Sequence, residues 1–129
     1  MKLGSKHDYK IIYEDRKGYL YVHISGPESF QAAVNFWMEL ENKLKTKNTA
    51  KIMVVDEVTG ELDIMKHYEI STIVAEKFME IKIAFIDPKK NTFELNKFGG
   101  EVVNSQGGFA RVFRSETEGL EWLLNENSS

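Results

Sequence analysis

The chain has 129 residues, 42% of them hydrophobic, which fits one domain able to bury a core without staples. It has no cysteine, which excludes disulfides, thiolate zinc sites and cysteine nucleophiles and agrees with an expected cytoplasmic location. Its 17 basic and 20 acidic side chains are interspersed, for a net charge of −3, so the basic stripe of a nucleic-acid binder is missing and no nucleic-acid partner is expected.

The opening Met1 to His7 carries charge without a following apolar run, so it does not read as a secretory signal. No stretch approaches the roughly 18 uninterrupted apolar residues of a transmembrane segment. Residues 1–129 are expected to form a single domain, with 1–8 and 125–129 flexible. Tyr9 to Glu14 and Tyr19 to Ser25 are β-rich runs around the polar turn Asp15-Arg16-Lys17-Gly18, the pattern of an antiparallel hairpin.

A helix over about Glu28 to Lys45 follows, with Phe30, Ala33, Val34, Trp37, Leu40 and Leu44 on one stripe, Phe36 and Met38 beside it, and Glu41 inside it. Glu28 at its start and Lys43, Lys45 and Lys47 at its end complement the helix dipole. Lys51 to Asp56 reads as a strand covered on both faces, because Ile52 to Val55 are continuously apolar. The second helix starts from Asp63 as N-cap and runs to about Phe78, with Ile64, Tyr68, Ser71, Val74, Ala75 and Phe78 as its core stripe.

Ile81 to Ile86 is a second buried strand, and a third helix spans about Phe93 to Ser105, burying Leu95, Phe98, Val102 and Val103 before the Gly107-Gly108 stop. Gly99 and Gly100 inside that helix cost about 1 kcal/mol each relative to alanine, which points to close backbone packing or an adjustable helix. Ala110 to Phe113 is the last strand. Ser115-Glu116-Thr117-Glu118 is a capping box opening a final helix that turns Gly119, Leu120, Trp122 and Leu123 inward.

The resulting order, ββαβαβαβα, is an α/β domain: a β-hairpin followed by βα units around a mixed five-stranded sheet. It resembles the SpoIIAA-like superfamily, the fold of the STAS domains, and within it a small uncharacterised bacterial branch. The resemblance covers nearly the whole chain and is strongest from Lys82 to Leu123: Lys82-Ile83-Ala84-Phe85-Ile86, Asn96-Lys97-Phe98-Gly99, and Val112-Phe113-Arg114-Ser115 with Glu118-Gly119-Leu120-Glu121-Trp122-Leu123. These are packing signatures and speak for fold.

STAS antagonists of anti-sigma factors resemble one another in an Asp-Ser-Ser-Gly type phosphoswitch at the start of the helix after the third strand. Here Leu62-Asp63 keeps the entry, but Ile64, Met65 and Lys66 replace the hydroxyls and glycine, and Thr59 is the only hydroxyl left nearby. Phosphate acts by adding charge at a helix start, and Ile64 and Met65 cannot accept it. The resemblance also implies an Asn-Arg pair before the glycine ending the third helix, where this chain has Ser105-Gln106.

Ligands of open α/β sheets collect outside the carboxyl ends of the strands, so the loop Asp56-Glu57-Val58-Thr59-Gly60-Glu61-Leu62-Asp63 is the candidate strand-end site. Asp56, Glu57, Glu61 and Asp63 could surround a hard cation, but their spacing matches no calcium loop, and a solvated loop ending in an N-cap is the expectation. His7, His23 and His67 show no metal-ligand spacing; His67, beside Tyr68, Glu69 and the acidic loop, is the best acid/base candidate. Lys97, Arg111 and Arg114 read as surface charges.

In the second helix Ile70 and Ile73 lie off the core stripe beside Glu69, Glu76, Lys66 and Lys77, the layout of an apolar contact with a charged rim. The leading expectation is therefore a non-catalytic protein-binding or regulatory module without the phosphorylatable serine, with a protein partner or a second copy meeting Ile70 and Ile73. The alternative is a carrier of an apolar or lipid-like small molecule, as in the branch resembling Sec14, lined by Phe78, Phe93, Phe98 and Phe109. A third reading is a small enzyme using His67 and the acidic loop. No catalytic set, cofactor or metal is assigned.

Overall fold

The computed structural model describes residues 8–126, so His7 and the ends expected to be flexible lie largely outside the described residues. Nine elements follow the expected order: β1 (Lys10–Arg16), β2 (Tyr19–Pro27), α1 (Phe30–Leu44), β3 (Lys51–Thr59), α2 (Ile64–Lys77), β4 (Lys82–Ile86), α3 (Lys90–Ser105), β5 (Phe109–Phe113) and α4 (Glu116–Leu124). The five strands lie in sequence order across one mixed sheet, β1 antiparallel to β2 and the other pairs parallel.

That order has a direct consequence. Each βαβ crossover is almost always right-handed, and three in succession step the same way across the sheet, so α1, α2 and α3 form one layer on one face. Their core holds Phe36, Trp37 and Leu40 of α1, Val74 and Ala75 of α2 and Val103 of α3, against Leu20, Val22, Ile52, Val54 and Ile83. After β5 no strand remains to be reached, and α4 folds onto the other face, where Trp122 and Leu123 cover Met53, Val55, Ala84 and Ile86.

Side-chain caps open three helices, at Asp63 and Ser115 as expected and at Ser29, which the sequence reading places inside the first helix. Ser29 caps α1 by accepting from the Ala32 amide at 3.0 Å, and Asp63 caps α2 by accepting from the Lys66 amide at 2.9 Å. Ser115 accepts from the Glu118 amide at 3.3 Å, and its hydroxyl donates to the Glu118 carboxylate, a variant of the expected capping box. At the far end of α4, the buried Lys82 ammonium donates to the carbonyls of Trp122 (2.7 Å) and Asn125 (3.1 Å), a cation on the negative end of the helix.

Four expectations need correction. β3 runs three residues past Asp56, because Glu57, Val58 and Thr59 continue the parallel pairing with Ser25, Gly26 and Pro27. Helix α1 starts at Phe30, leaving Glu28 before the cap, and its buried face is Ala32, Ala33, Phe36, Trp37 and Leu40 rather than a stripe through Phe30, Val34 and Leu44. Helix α3 starts at Lys90; the Asp87 carboxylate accepts from the Lys89 amide at 2.9 Å, and this stands in for a side-chain cap.

The buried face of α2 is rotated. Ile64 and Tyr68 are exposed, while Ile70 packs against the core. Neighbours on both sides of α2 decide this. Lys77 pairs with Glu41 of α1 at 3.6 Å and Lys66 lies over the Phe30 ring, so the flank bearing Ile70 and Ile73 faces α1. On the α3 side, of the two alternatives for the helical glycines the structure has close packing: a Cβ on Gly99 would lie 2.8 Å from Ser71 Oγ.

Candidate functional site

The inward face of β2, β3 and β4 can be followed by alternation alone. In β2 it runs Leu20, Val22, Ile24; in β3 Ile52, Val54; in β4 Ile83, Phe85. Two residues further in β3 and β4, and four further in β2, the same parity brings Asp56, Asp87 and Glu28. Carboxylates in β3 and just past β2 and β4 thus share the face covered by α1 to α3, toward the carboxyl edge of the sheet.

Two of these acids are tied into one network. Asp87 is fully buried and accepts from Thr92 Oγ1 (2.7 Å), Asn96 Nδ2 (2.7 Å), the Lys89 amide (2.9 Å) and the Lys89 ammonium (3.0 Å). Burial alone would raise its pKa, yet these hydrogen bonds outweigh it and hold the carboxyl below its ordinary value. Asp56, 6% exposed, accepts from the Val58 amide at 2.9 Å and from Asn96 at 3.2 Å. Lys89 Nζ lies 3.4 Å from Asp56 Oδ1 and donates to the Asp56 carbonyl at 2.7 Å. For Asp56 burial dominates, and its carboxyl is pushed above the ordinary value despite Val58 and Lys89.

Glu28 stands apart from that network. It receives a short hydrogen bond from the Tyr9 hydroxyl and one from the Ser29 amide at 3.0 Å. Burial raises its pKa, the Tyr9 bond opposes that, and the Asp56 charge adds to the rise. The Tyr9 hydroxyl is in turn held well above the ordinary phenol value by burial and by the Glu28 charge.

Glu28 and Asp56 form one end of a cavity of about 80 Å³ between the sheet and α1 to α3. Tyr9, His67 and Asn96 complete the polar end; Phe36, Trp37, Val74, Ile83, Phe85 and Val112 supply apolar wall. Burial lowers the His67 pKa against the pull of Asp63 and Asp87, which favours the neutral imidazole. This arrangement can enclose a compact molecule with an apolar body. It is well short of the roughly 300–1,000 Å³ of sites for drug-sized ligands.

Comparison with solved structures places this architecture. An uncharacterised protein of the DUF3478 family with a SpoIIAA-like fold, from Shewanella loihica PV-4, superposes with a TM-score of 0.57 and 20% identity, covering 95% of this chain and 98% of the other. The fold is SpoIIAA-like. At that identity the likeness speaks for fold alone. No family model and no curated protein matches the sequence.

In the SpoIIAA-like frame the residues of the expected strand-end loop part company. Asp56 points into the core, whereas Glu57 is exposed on the opposite parity and meets His23 Nε2 at 2.6 Å. The Thr59 hydroxyl faces the Gly26 carbonyl, Glu61 accepts from Asn91 at 3.1 Å, and Asp63 caps α2. Among the described residues no group of three or more His, Asp or Glu is placed to hold a metal ion. At the start of α2, where the SpoIIAA-like resemblance implies a switch serine, Ile64 and Met65 are exposed.

None of Phe78, Phe93, Phe98 and Phe109 lines the cavity. Phe78 is core on the α1 to α3 face, Phe109 packs with Trp122 on the other, and Phe93 and Phe98 are half-buried, Phe93 under the Arg114 guanidinium at 3.8 Å. Ile70 does line it; Ile73 is half-buried on the α1 flank. Gln106, in place of the arginine the resemblance implies, reaches Thr72 Oγ1 at 3.2 Å.

Sequence reading missed Tyr9, Glu28, Asp87 and Lys89, and took Asn96 for a packing residue. The signal was present as period-two parity, continued to Asp56 within β3 and past the ends of β2 and β4 to Glu28 and Asp87. It is discarded as soon as an acidic residue is taken to mark a loop. No helix among the described residues is long and apolar enough to cross a membrane.

Proposed function

We propose that the protein is a non-catalytic binding module that takes a compact, mostly apolar small molecule into the cavity beneath α1 to α3. The observation that carries this reading is the cavity itself, about 80 Å³ with an apolar wall and one polar end at the carboxyl edge of the sheet. Its size supports a ligand smaller than benzene, which occupies an engineered cavity of about 150 Å³, and argues against a lipid chain. A catalytic role for His67 has weaker support: its ring has no hydrogen-bond partner among the described residues to orient it, and proton transfer needs an oriented base.

Methyl NMR of the full chain tests the proposal. Ethanol is expected to shift the methyl resonances of Ile24, Val74 and Ile83, and Ala33→Leu, which fills the cavity, is expected to abolish the shifts. Unmoved resonances in the parent, up to the solubility of small alcohols and amines, would sink the reading.

A second reading, contact with a protein partner or a second copy, is favoured by the first turn of α2, where Ile64, Met65 and Tyr68 are 51%, 63% and 45% exposed. This moves the expected contact from Ile70 toward the helix start, with the half-buried Ile73 at its margin. Sedimentation at several concentrations of the parent, Met65→Lys and Ile73→Lys checks it. Self-association lost in Met65→Lys supports a second copy; one monomeric mass for all three removes it.

A further inference from the structure

The ionisable side chains lining the cavity are Tyr9, Glu28, Asp56 and His67, with no lysine or arginine among them. Lys89, whose one charge is shared between Asp56 and Asp87, does not line the cavity and is held by both carboxylates and the Asp56 carbonyl. Glu28 takes its two protein donors, the Tyr9 hydroxyl and the Ser29 amide, on the same oxygen, so Oε2 has no donor among the described residues. An anion brought here would meet two carboxylates. A hard metal ion wants six or more oxygens, and this end of the cavity faces aromatic and aliphatic wall.

We propose, on the reading of the cavity as a ligand site, that its occupant is a small primary alkylammonium ion. The ammonium head sits at the Glu28 and Asp56 carboxylates, and the alkyl body lies against Trp37, Val74 and Ile83. A protonated amine supplies the missing donor to Glu28 Oε2 and offsets the surplus negative charge, and each such bond is charge-assisted. His67, favoured as the neutral imidazole, adds a hydrogen-bonding group without repelling the cation. Burial has raised both carboxyl pKa values, and a bound cation reverses part of that cost.

Titration of the full chain with ethylamine, ethanol and acetate at neutral pH, followed by methyl NMR, separates the possibilities. The amine is expected to bind about tenfold more tightly than the isosteric alcohol, the ratio expected for charged over neutral hydrogen bonds, and the carboxylate not to bind. Glu28→Gln is expected to remove most of that advantage, and Asp56→Asn serves as the second variant if Glu28→Gln does not fold. Alcohol binding equal to or tighter than amine binding overturns the inference and leaves the binding module standing. An amine preference unchanged in both variants overturns the placement of the head. If neither amine nor alcohol binds, the cavity is not a ligand site and both readings fall.

Discussion

On one face of the sheet a single nine-residue helix, α4, closes the core; on the other, three helices of 14 to 16 residues do, and a cavity remains among them. The α4 face is tight: a Cβ on Gly119 would fall 2.4 Å from Ile86 Cδ1, and Trp122 is wedged between Phe109 and Phe113. The three-helix face carries buried acids that an efficient core would omit. The two faces divide the work of the fold. One is built for packing density, and the other gives up packing and electrostatic ease at the strand ends, where ligands of such sheets gather.

The largest effects should come from the α4 face. Truncation before Ser115 removes the helix and its cap, and cooperative unfolding is expected to disappear in calorimetry. Trp122→Ala alone is expected to cost about 3–5 kcal/mol, measured by urea unfolding. If either variant melts sharply near the parent temperature, the α4 face is not the stabilising one.

Next comes the buried network. Asp87→Ala leaves Thr92, Asn96 and Lys89 without their common acceptor and is expected to cost about 1–3 kcal/mol. Asp87→Asn, which keeps acceptor capacity on one oxygen, should cost less. Equal stability of Asp87→Ala and the parent would mean that the network is decoration.

Gly99→Ala probes the joint between the helices of the open face. Alanine ordinarily gains about 1 kcal/mol over glycine in a helix. Here the added methyl meets Ser71 Oγ at 2.8 Å, so the gain should be lost in the parent and recovered in a Ser71→Ala background. A full gain in Gly99→Ala alone would show that the contact yields freely.

The smallest effect is the pH dependence of the two raised acids. Glu28 and Asp56 carry folded-state pKa values above their unfolded ones, so the stability tied to their protonation is present below the ordinary carboxylate pKa and lost as pH rises through the raised values. Asp87, depressed in the fold, has the opposite sign: its contribution is present above the ordinary value and lost as pH falls through the depressed one. Urea unfolding from mildly acidic to neutral pH should therefore show Glu28→Gln losing less stability with rising pH than the parent. Parallel curves would place Glu28 in an ordinary aqueous setting.

Element order, the hairpin, the caps at Asp63 and Ser115 and the inward face of α4 were all legible in the chain, because each depends on period and on contacts within a few residues. At Gly99 the chain left close packing and an adjustable helix as alternatives, and the Ser71 neighbour decides for the first. Tertiary structure decided what lies between elements. The flanks of α2 bury Ile70 and expose Ile64 and Tyr68 only because α1 and α3 stand where they do, and a single-helix wheel holds no record of those neighbours. The same holds at the strand ends. Asp56 read alone opens a loop, and Asp87 and Lys89 draw no functional reading at all. Parallel registration sets Asp56 beside Ile24 and, one step past the Val55–Ile86 pair, level with Asp87, with Glu28 just beyond the last β2–β3 pair, and no local rule in the chain specifies that alignment.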